Sequence, residues 1–236
     1  FLLTSVPGGI PEALRRHRRA AWQMPALTAA FVAAAAARAR WADVLYANWL
    51  GAGAAGALAG ALARRPVVLT LRGDDAYWVR DHAFWRLLGR GVFRRCAAVT
   101  AVSRPLARVV QPYMPAGRSV EVPHFGVDTE QFHPPAEPPP PRQRPDGLFV
   151  GNLSRAKGVD VLLEALAARP GAWGGFAFVG DGPDEAALRR RADALGLADR
   201  LDWLGRVPTG RVPELMRQAD FLVLPSRSEG RPNVVL

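Results

Sequence analysis

Two Rossmann-like α/β lobes with parallel sheets and a cleft between them are the fold this sequence predicts. Short apolar runs alternate with helical stretches on both sides of a proline-rich segment, and 236 residues are enough for two domains that each bury a core. In the first lobe (1–133), Asp43–Asn48 and Pro66–Leu71 read as buried strands joined by an Ala/Gly-rich helical stretch. An amphipathic aromatic helix follows around Trp78–Phe93. Then come a strand at Ala97–Val102, a helix begun at Ser103 with Pro105 in its first turn, and a strand at Val120–Pro123. Residues 134–145 hold seven prolines in twelve positions, which neither helix nor central strand accepts, so they read as a stiff linker. The second lobe (146–236) repeats the rhythm. Its strands lie near Gly147–Val150, Phe176–Val179, Leu201–Trp203 and Phe221–Leu224, and its helices near Val159–Ala168, Asp184–Leu195 and Val212–Gln218. Strands this short and apolar need cover on both faces, hence parallel sheets, and ligands then belong at their carboxyl ends. Phe1 follows no leader and Leu236 falls within an expected helix, so the chain reads as a fragment truncated at both ends.

Charge is uneven along the chain. Residues 1–133 carry 17 arginines against eight acidic residues, and 134–236 carry 14 basic against 13 acidic residues. Such a field attracts acidic lipid headgroups, nucleic acid or phosphorylated substrates. Thirty of the 31 basic residues are arginine, so a coding bias accounts for the surplus equally well. Arg15, Arg16, Arg18 and Arg19 flank His17 on an expected amphipathic helix that could dock on the acidic inner face of a membrane or simply be solvated. No aromatic-plus-basic RNA signature is present, and no nucleic-acid partner is expected. The single cysteine, Cys96, excludes an intramolecular disulfide and a cysteine-cluster zinc site and suits a reducing cytoplasm. The longest low-polarity runs, Ala26–Ala37 and Trp49–Ala63, fall short of the roughly 20 residues that span a bilayer.

Four segments of the second lobe carry candidate chemistry. The strand ending at Val150 runs into Gly151-Asn152-Leu153-Ser154-Arg155-Ala156-Lys157-Gly158 and then a helix, which outlines a diphosphate site or a plain polar helix start. Lys157 is the only lysine in the chain. Val179-Gly180-Asp181-Gly182-Pro183 is a second glycine turn at the same sheet edge, and Gly205-Arg206-Val207 follows the next strand. Pro225-Ser226-Arg227-Ser228-Glu229-Gly230 brings a carboxylate, able to accept two sugar hydroxyls, to the amides of Arg231, Pro232, Asn233 and Val234 at an expected helix start. Gly51-Ala52-Gly53-Ala54-Ala55-Gly56 is a literal GxGxxG with Asp74 about 20 residues on. It admits a nicotinamide-dependent oxidoreductase, or simply close helix–strand packing. His124 and His133 read as loop residues.

In this order the segments resemble the retaining GT-B glycosyltransferases of family 4, also called group 1. Thr70–Asp75, Ala98–Ser103 and Val122–Asp128 look like three further family landmarks. The resemblance implies that a hexose moves from a nucleoside-diphosphate sugar to a hydroxyl acceptor on a glycan, glycolipid or small molecule, with retention and with neither metal nor cofactor. It assigns Asn152, Arg155 and Lys157 to the donor diphosphate, with Lys157 stabilising the leaving group. Glu229, Gly230, Arg231, Pro232, Asn233 and Val234 would meet the donor sugar, and Gly205, Arg206 and Val207 the nucleobase. Glu229 would open the family's Glu-x7-Glu motif, whose second glutamate would follow Leu236. Asn152 stands where the family often has arginine, and Arg72-Gly73 where it has His-Gly. Arg72, Gly73 and Asp75 are the expected first-lobe contacts, with Arg72 placed to meet phosphate and Asp75 to meet ligand or cap a loop. The alternatives from other classes are the oxidoreductase and a non-catalytic module held on a membrane surface.

Overall fold

Three parallel strands, β1 (Leu45–Asn48), β2 (Val67–Leu71) and β3 (Ala98–Ala101), lie side by side in chain order and form the first sheet. The computed structural model describes residues 18–123, 126–137, 140, 142–227 and 229–236, and the chain divides into two compact units, Phe1–Phe125 and Gly126–Leu236. In the first unit α1 (Met24–Ala39) packs on α2 (Leu50–Ala63), and α2 packs on β1 and β2. Helix α2 contains the whole GxGxxG segment. A methyl group on Gly53 would meet Leu69 at 2.8 Å, and Gly56 lies against Ala47 and Val67. These glycines let helix and sheet approach closely, and they do not form the turn a dinucleotide needs between strand and helix.

Two expected elements differ. The aromatic helix around Trp78–Phe93 is two helices, α3 (Asp74–Asp81) and α4 (Ala83–Arg95), broken at an extended His82. The Arg86 guanidinium donates to the Val79 and Arg80 carbonyls that the break frees, and Trp78 and Trp85 pack with ring centroids 5.3 Å apart. The strand expected at Val120–Pro123 is a single parallel bridge between Glu121 and Thr100. A parallel ladder would next use the amide of residue 123, and proline has none. Helix α5 (Arg104–Val110) follows β3, starting after Ser103 with Pro105 in its first turn. Leu50, Leu69, Leu71, Val79, Phe93, Val99, Leu106 and Val110 fill the core.

The second unit holds a four-stranded parallel sheet of β4 (Gly147–Val150), β5 (Phe176–Val179), β6 (Leu201–Gly205) and β7 (Phe221–Leu222), in the order β6-β5-β4-β7. Helices α6 (Val159–Ala168), α7 (Glu185–Ala194) and α8 (Val212–Gln218) connect the strands. The core gathers Phe149, Leu153, Leu163, Trp173, Phe176 and Phe178, with Phe178 stacked on Trp203 at 4.3 Å. Part of the arginine surplus is structural. Arg118 donates to the carbonyls of Phe93, Cys96 and Ala97, and Arg200 donates to those of Pro170, Trp173 and Gly174 while lying over the Trp173 ring. Of the basic run, Arg15, Arg16 and His17 lie outside the described residues, and Arg18 and Arg19 open a 3-10 turn, Arg18–Gln23. His124 and Ser228 also lie outside them.

Candidate functional site

The chain leaves β4 toward β5 and β6 on one side and returns to the other side of β4 as β7. That reversal is a topological switch point, where the connections after two neighbouring strands diverge and leave a crevice at their carboxyl ends. The loops that follow β4 and β7 are Gly151–Gly158 and Pro225–Gly230, the two segments richest in candidate chemistry.

Close backbone approaches hold these loops together. Gly158 has φ +66°, and a methyl group there would collide with the Pro225 carbonyl oxygen. The Arg227 amide donates to Ala156 O at 2.9 Å, and its guanidinium donates to Arg155 O. The same guanidinium forks onto Asp160 on α6, at 2.9 and 2.7 Å, and holds that carboxyl below its usual range. The turn after β5 joins from the other side. Gly180, at φ +124°, abuts the Gly151 carbonyl, the Leu153 amide donates to Asp181 O, and the Arg155 amide donates to Asp184 Oδ2 at 2.6 Å. Gly205, at φ +63°, accepts from the Gly180 amide at 2.8 Å.

Within this frame Lys157 Nζ donates to Glu229 Oε1 at 2.5 Å, with side chains 27% and 23% exposed. Two residues 72 positions apart in the sequence therefore form one ion pair at the switch point. Lys157 ends a 3-10 turn, Arg155–Lys157, and the left-handed Gly158 then starts α6. Asn152 and Arg155 are exposed on the same loop. Arg206 is exposed and pairs with Asp181 at 3.1 Å, while Gly205 and Val207 are half-buried. Gly230, Arg231, Pro232 and Val234 are half-buried and Asn233 is exposed; Asn233–Val235 is a single 3-10 turn where a helix start was expected. Arg227 and Asp160 are not among the residues the sequence singles out, because a pair 67 residues apart leaves no local pattern. Ser226 Oγ is buried beside them without a hydrogen-bond partner among the described residues.

In the first unit Asp75 is 1% exposed. Its Oδ1 accepts from the amides of Arg72 and Gly73, and its Oδ2 from that of Leu50, the first residue of α2. Burial nevertheless holds its carboxyl above the ordinary range. With both oxygens engaged, Asp75 acts as a loop clamp. Arg72 Nη1 donates to Asn48 Oδ1 at 3.1 Å.

Residues 4–131 match the sequence profile of Glycosyltransferase Family 4, and residues 134–236 match that of glycosyl transferases group 1. A Bacillus subtilis protein named as a candidate teichuronic acid biosynthesis glycosyltransferase, TuaC, is 30% identical across 98% of this chain and 57% of its own length. A Mycolicibacterium smegmatis protein named GDP-mannose-dependent alpha-(1-6)-phosphatidylinositol monomannoside mannosyltransferase is 30% identical across 77% of this chain and 51% of its own. The crystal structure of Anabaena HepE in complex with UDP superposes with a TM-score of 0.68 at 25% identity, covering 86% of this chain and 59% of that one. The chain thus spans between half and three fifths of these relatives' length. Its α/β units with parallel sheets agree with the GT-B expectation, and the chain belongs to the family 4, group 1 glycosyltransferases.

Proposed function

We propose that the second unit binds the nucleoside-diphosphate sugar, and the first unit belongs to the acceptor side, of an enzyme that transfers a hexose to a hydroxyl with retention of configuration and without a metal ion. The observation that carries this reading is the Lys157–Glu229 pair at the β4/β7 switch point. An ammonium paired only through a flexible side chain can exchange its carboxylate partner for a diphosphate, and Glu229, once released, can accept hydroxyls of the sugar. Lys157 then balances the charge that grows on the leaving phosphate, with Arg155 beside it and Asn152 on the same loop. Gly230, Arg231, Pro232, Asn233 and Val234 frame the sugar, and Gly205, Arg206 and Val207 the base. In the transfer, the bond from the sugar's anomeric carbon to the phosphate oxygen breaks and the bond to the acceptor oxygen forms, while the acceptor proton passes to the leaving phosphate. HepE is described with UDP and the mycobacterial relative as GDP-mannose-dependent, so either nucleobase suits the family frame.

Docking on an acidic membrane face of the cytoplasm is part of the proposal. Trp41 is 92% exposed between α1 and β1, next to Arg38 and Arg40, and Arg65 at the end of α2 reaches the Arg40 carbonyl. An interfacial tryptophan among arginines suits an anionic headgroup layer. Among the described residues no helix is long and apolar enough to cross a membrane.

The test is a thermal-shift titration of the full-length protein with UDP, GDP, ADP, their sugars and NAD, in metal-free buffer. A ligand at about 100 times its dissociation constant stabilises by roughly 2.7 kcal/mol. One nucleoside diphosphate should stabilise the wild type, and Lys157→Ala should lose that response while keeping its unliganded Tm. Stabilisation by NAD alone, or an unchanged response in Lys157→Ala, refutes the reading.

A further inference from the structure

At the carboxyl edge of the first sheet, β1 ends in Asn48 and delivers Trp49 with φ +73° and ψ 145°, a backbone region that suits glycine and strains any bulky side chain. Three hydrogen bonds impose it. The Trp49 amide donates to Thr70 O at 3.0 Å, the Trp49 carbonyl accepts from Gly53 at 2.9 Å, and the next amide, Leu50, is held by Asp75 at 3.1 Å. The indole obtained in this way is 46% exposed, and its N–H has no partner among the described residues. The register Asn48↔Thr70 sets Trp49 beside the end of β2, where Arg72 emerges. The Arg72 guanidinium is half-buried, fixed by one bond to Asn48 Oδ1, and has no carboxylate partner among the described residues. Asp75 forms no ion pair with it; both Asp75 oxygens accept instead from backbone amides, those of Arg72, Gly73 and Leu50.

A buried carboxyl group thus locks two turns that present an exposed indole on a strained backbone and a guanidinium with no carboxylate partner among the described residues. From this we infer a binding site for an anionic pyranoside, with the flat C–H face of the sugar ring on Trp49 and its carboxylate or phosphate ester on Arg72. The indole offers a rigid apolar plate with one polar edge, and the guanidinium fork matches the two oxygens of either anion. Asn48 holds that fork in orientation. The inference rests on the acceptor-side reading of the first unit, and it makes the acceptor an acidic saccharide.

Saturation-transfer NMR titrations of the full-length protein with methyl glucuronide, glucose 6-phosphate, methyl glucoside and inorganic phosphate test it, on the wild type, Trp49→Gly and Arg72→Met. Glycine adopts the Trp49 backbone without strain, so Trp49→Gly removes the indole and keeps the fold. The wild type should bind one of the two acidic sugars at least tenfold more tightly than methyl glucoside, and the tighter of the two names the anion. Trp49→Gly should lose sugar binding, and Arg72→Met should lose the preference for charge. Equal affinity for neutral and acidic sugars, undiminished binding in Trp49→Gly, or inorganic phosphate competing as well as the sugars overturns the inference. The UDP or GDP thermal shift of Trp49→Gly reads the donor site separately. That shift should match the wild type's, and a wild type that shows none would count against the nucleotide-sugar reading, whatever the saccharides do.

Discussion

Gly158→Ala tests whether the two signature loops form one site, and Gly196→Ala is its control. Both glycines are left-handed, at φ +66° and φ +69°. An alanine at Gly196, just past the end of α7, meets nothing within 4 Å, whereas one at Gly158 meets the Pro225 carbonyl. The shared cost is the left-handed backbone of a residue with a Cβ, about 1 to 2 kcal/mol. It is offset by about 0.4 to 1 kcal/mol from a stiffer unfolded chain, leaving a net of roughly 1 kcal/mol for Gly196→Ala. Gly158→Ala adds an overpacking cost of about 1 to 3 kcal/mol, for a total of roughly 2 to 4 kcal/mol. At about 4 °C per kcal/mol for a unit of this size, calorimetry should show Tm falling by about 4 °C in the control and about 8 to 16 °C in Gly158→Ala. The second readout is nucleotide affinity. Relief of the collision moves Pro225 and the following residues away from Gly158, taking Glu229 and Arg227 from Lys157 and Asp160, so nucleoside-diphosphate binding should fail in Gly158→Ala and persist in Gly196→Ala. Equal melting temperatures and equal affinities in the two variants would refute the interlocked-loop reading.

The Arg227–Asp160 fork should behave as a positioning pair. Arg227→Asp and Asp160→Arg should each raise the dissociation constant for the nucleoside diphosphate, and the double reversal should recover part of it; a double variant as weak as the worse single one would deny the pairing. Lys157→Arg keeps the charge but offers Glu229 a two-pronged partner that releases less readily, so a diphosphate should bind at least tenfold more weakly than to wild type, which equal affinity by calorimetric titration would contradict. Asp75 supplies the pH dependence. Its folded pKa lies above the 3.8 of the unfolded chain, so the folded state holds the extra proton between the two values, and stability falls as pH rises from about 3.8 through the raised value. Urea melts of wild type and Asp75→Asn across that range should diverge on this limb, the wild type losing stability relative to the variant as pH rises; parallel profiles would show that Asp75 titrates normally.

Much of the fold was legible because α/β periodicity is local. The β4, β5, α6 and α8 boundaries follow from the runs of apolar residues and their caps. The elements that differ turn on interactions no window contains. Proline at 123 reads as an ordinary strand end until the parallel ladder shows that its missing N–H is the next donor required. The break at His82 has no proline or glycine to announce it, and Arg86 satisfies the freed carbonyls from the following helix. At the site the spacing isolates Lys157 and Glu229 as candidates, and the sheet order alone makes them neighbours. Arg227 occupies a position that reads as a spacer, and Trp49 one where only the φ angle reveals the strain.

Glycine carries different meanings along this chain, and surroundings decide between them. Gly51, Gly53 and Gly56 satisfy a dinucleotide spacing, yet their place inside α2 and the contacts of Gly53 and Gly56 with β1 and β2 make the segment a packing device. Gly158 and Gly180 match no such fingerprint, yet each abuts a backbone carbonyl of a neighbouring strand-end loop, and each has a positive φ. Close backbone approach between loops is what an anion site at a sheet edge requires, because it brings side chains from separate strands within reach of one group. The pairing of Lys157 with Glu229 is the product of that approach, and a ligand that takes over either partner acts on both loops at once.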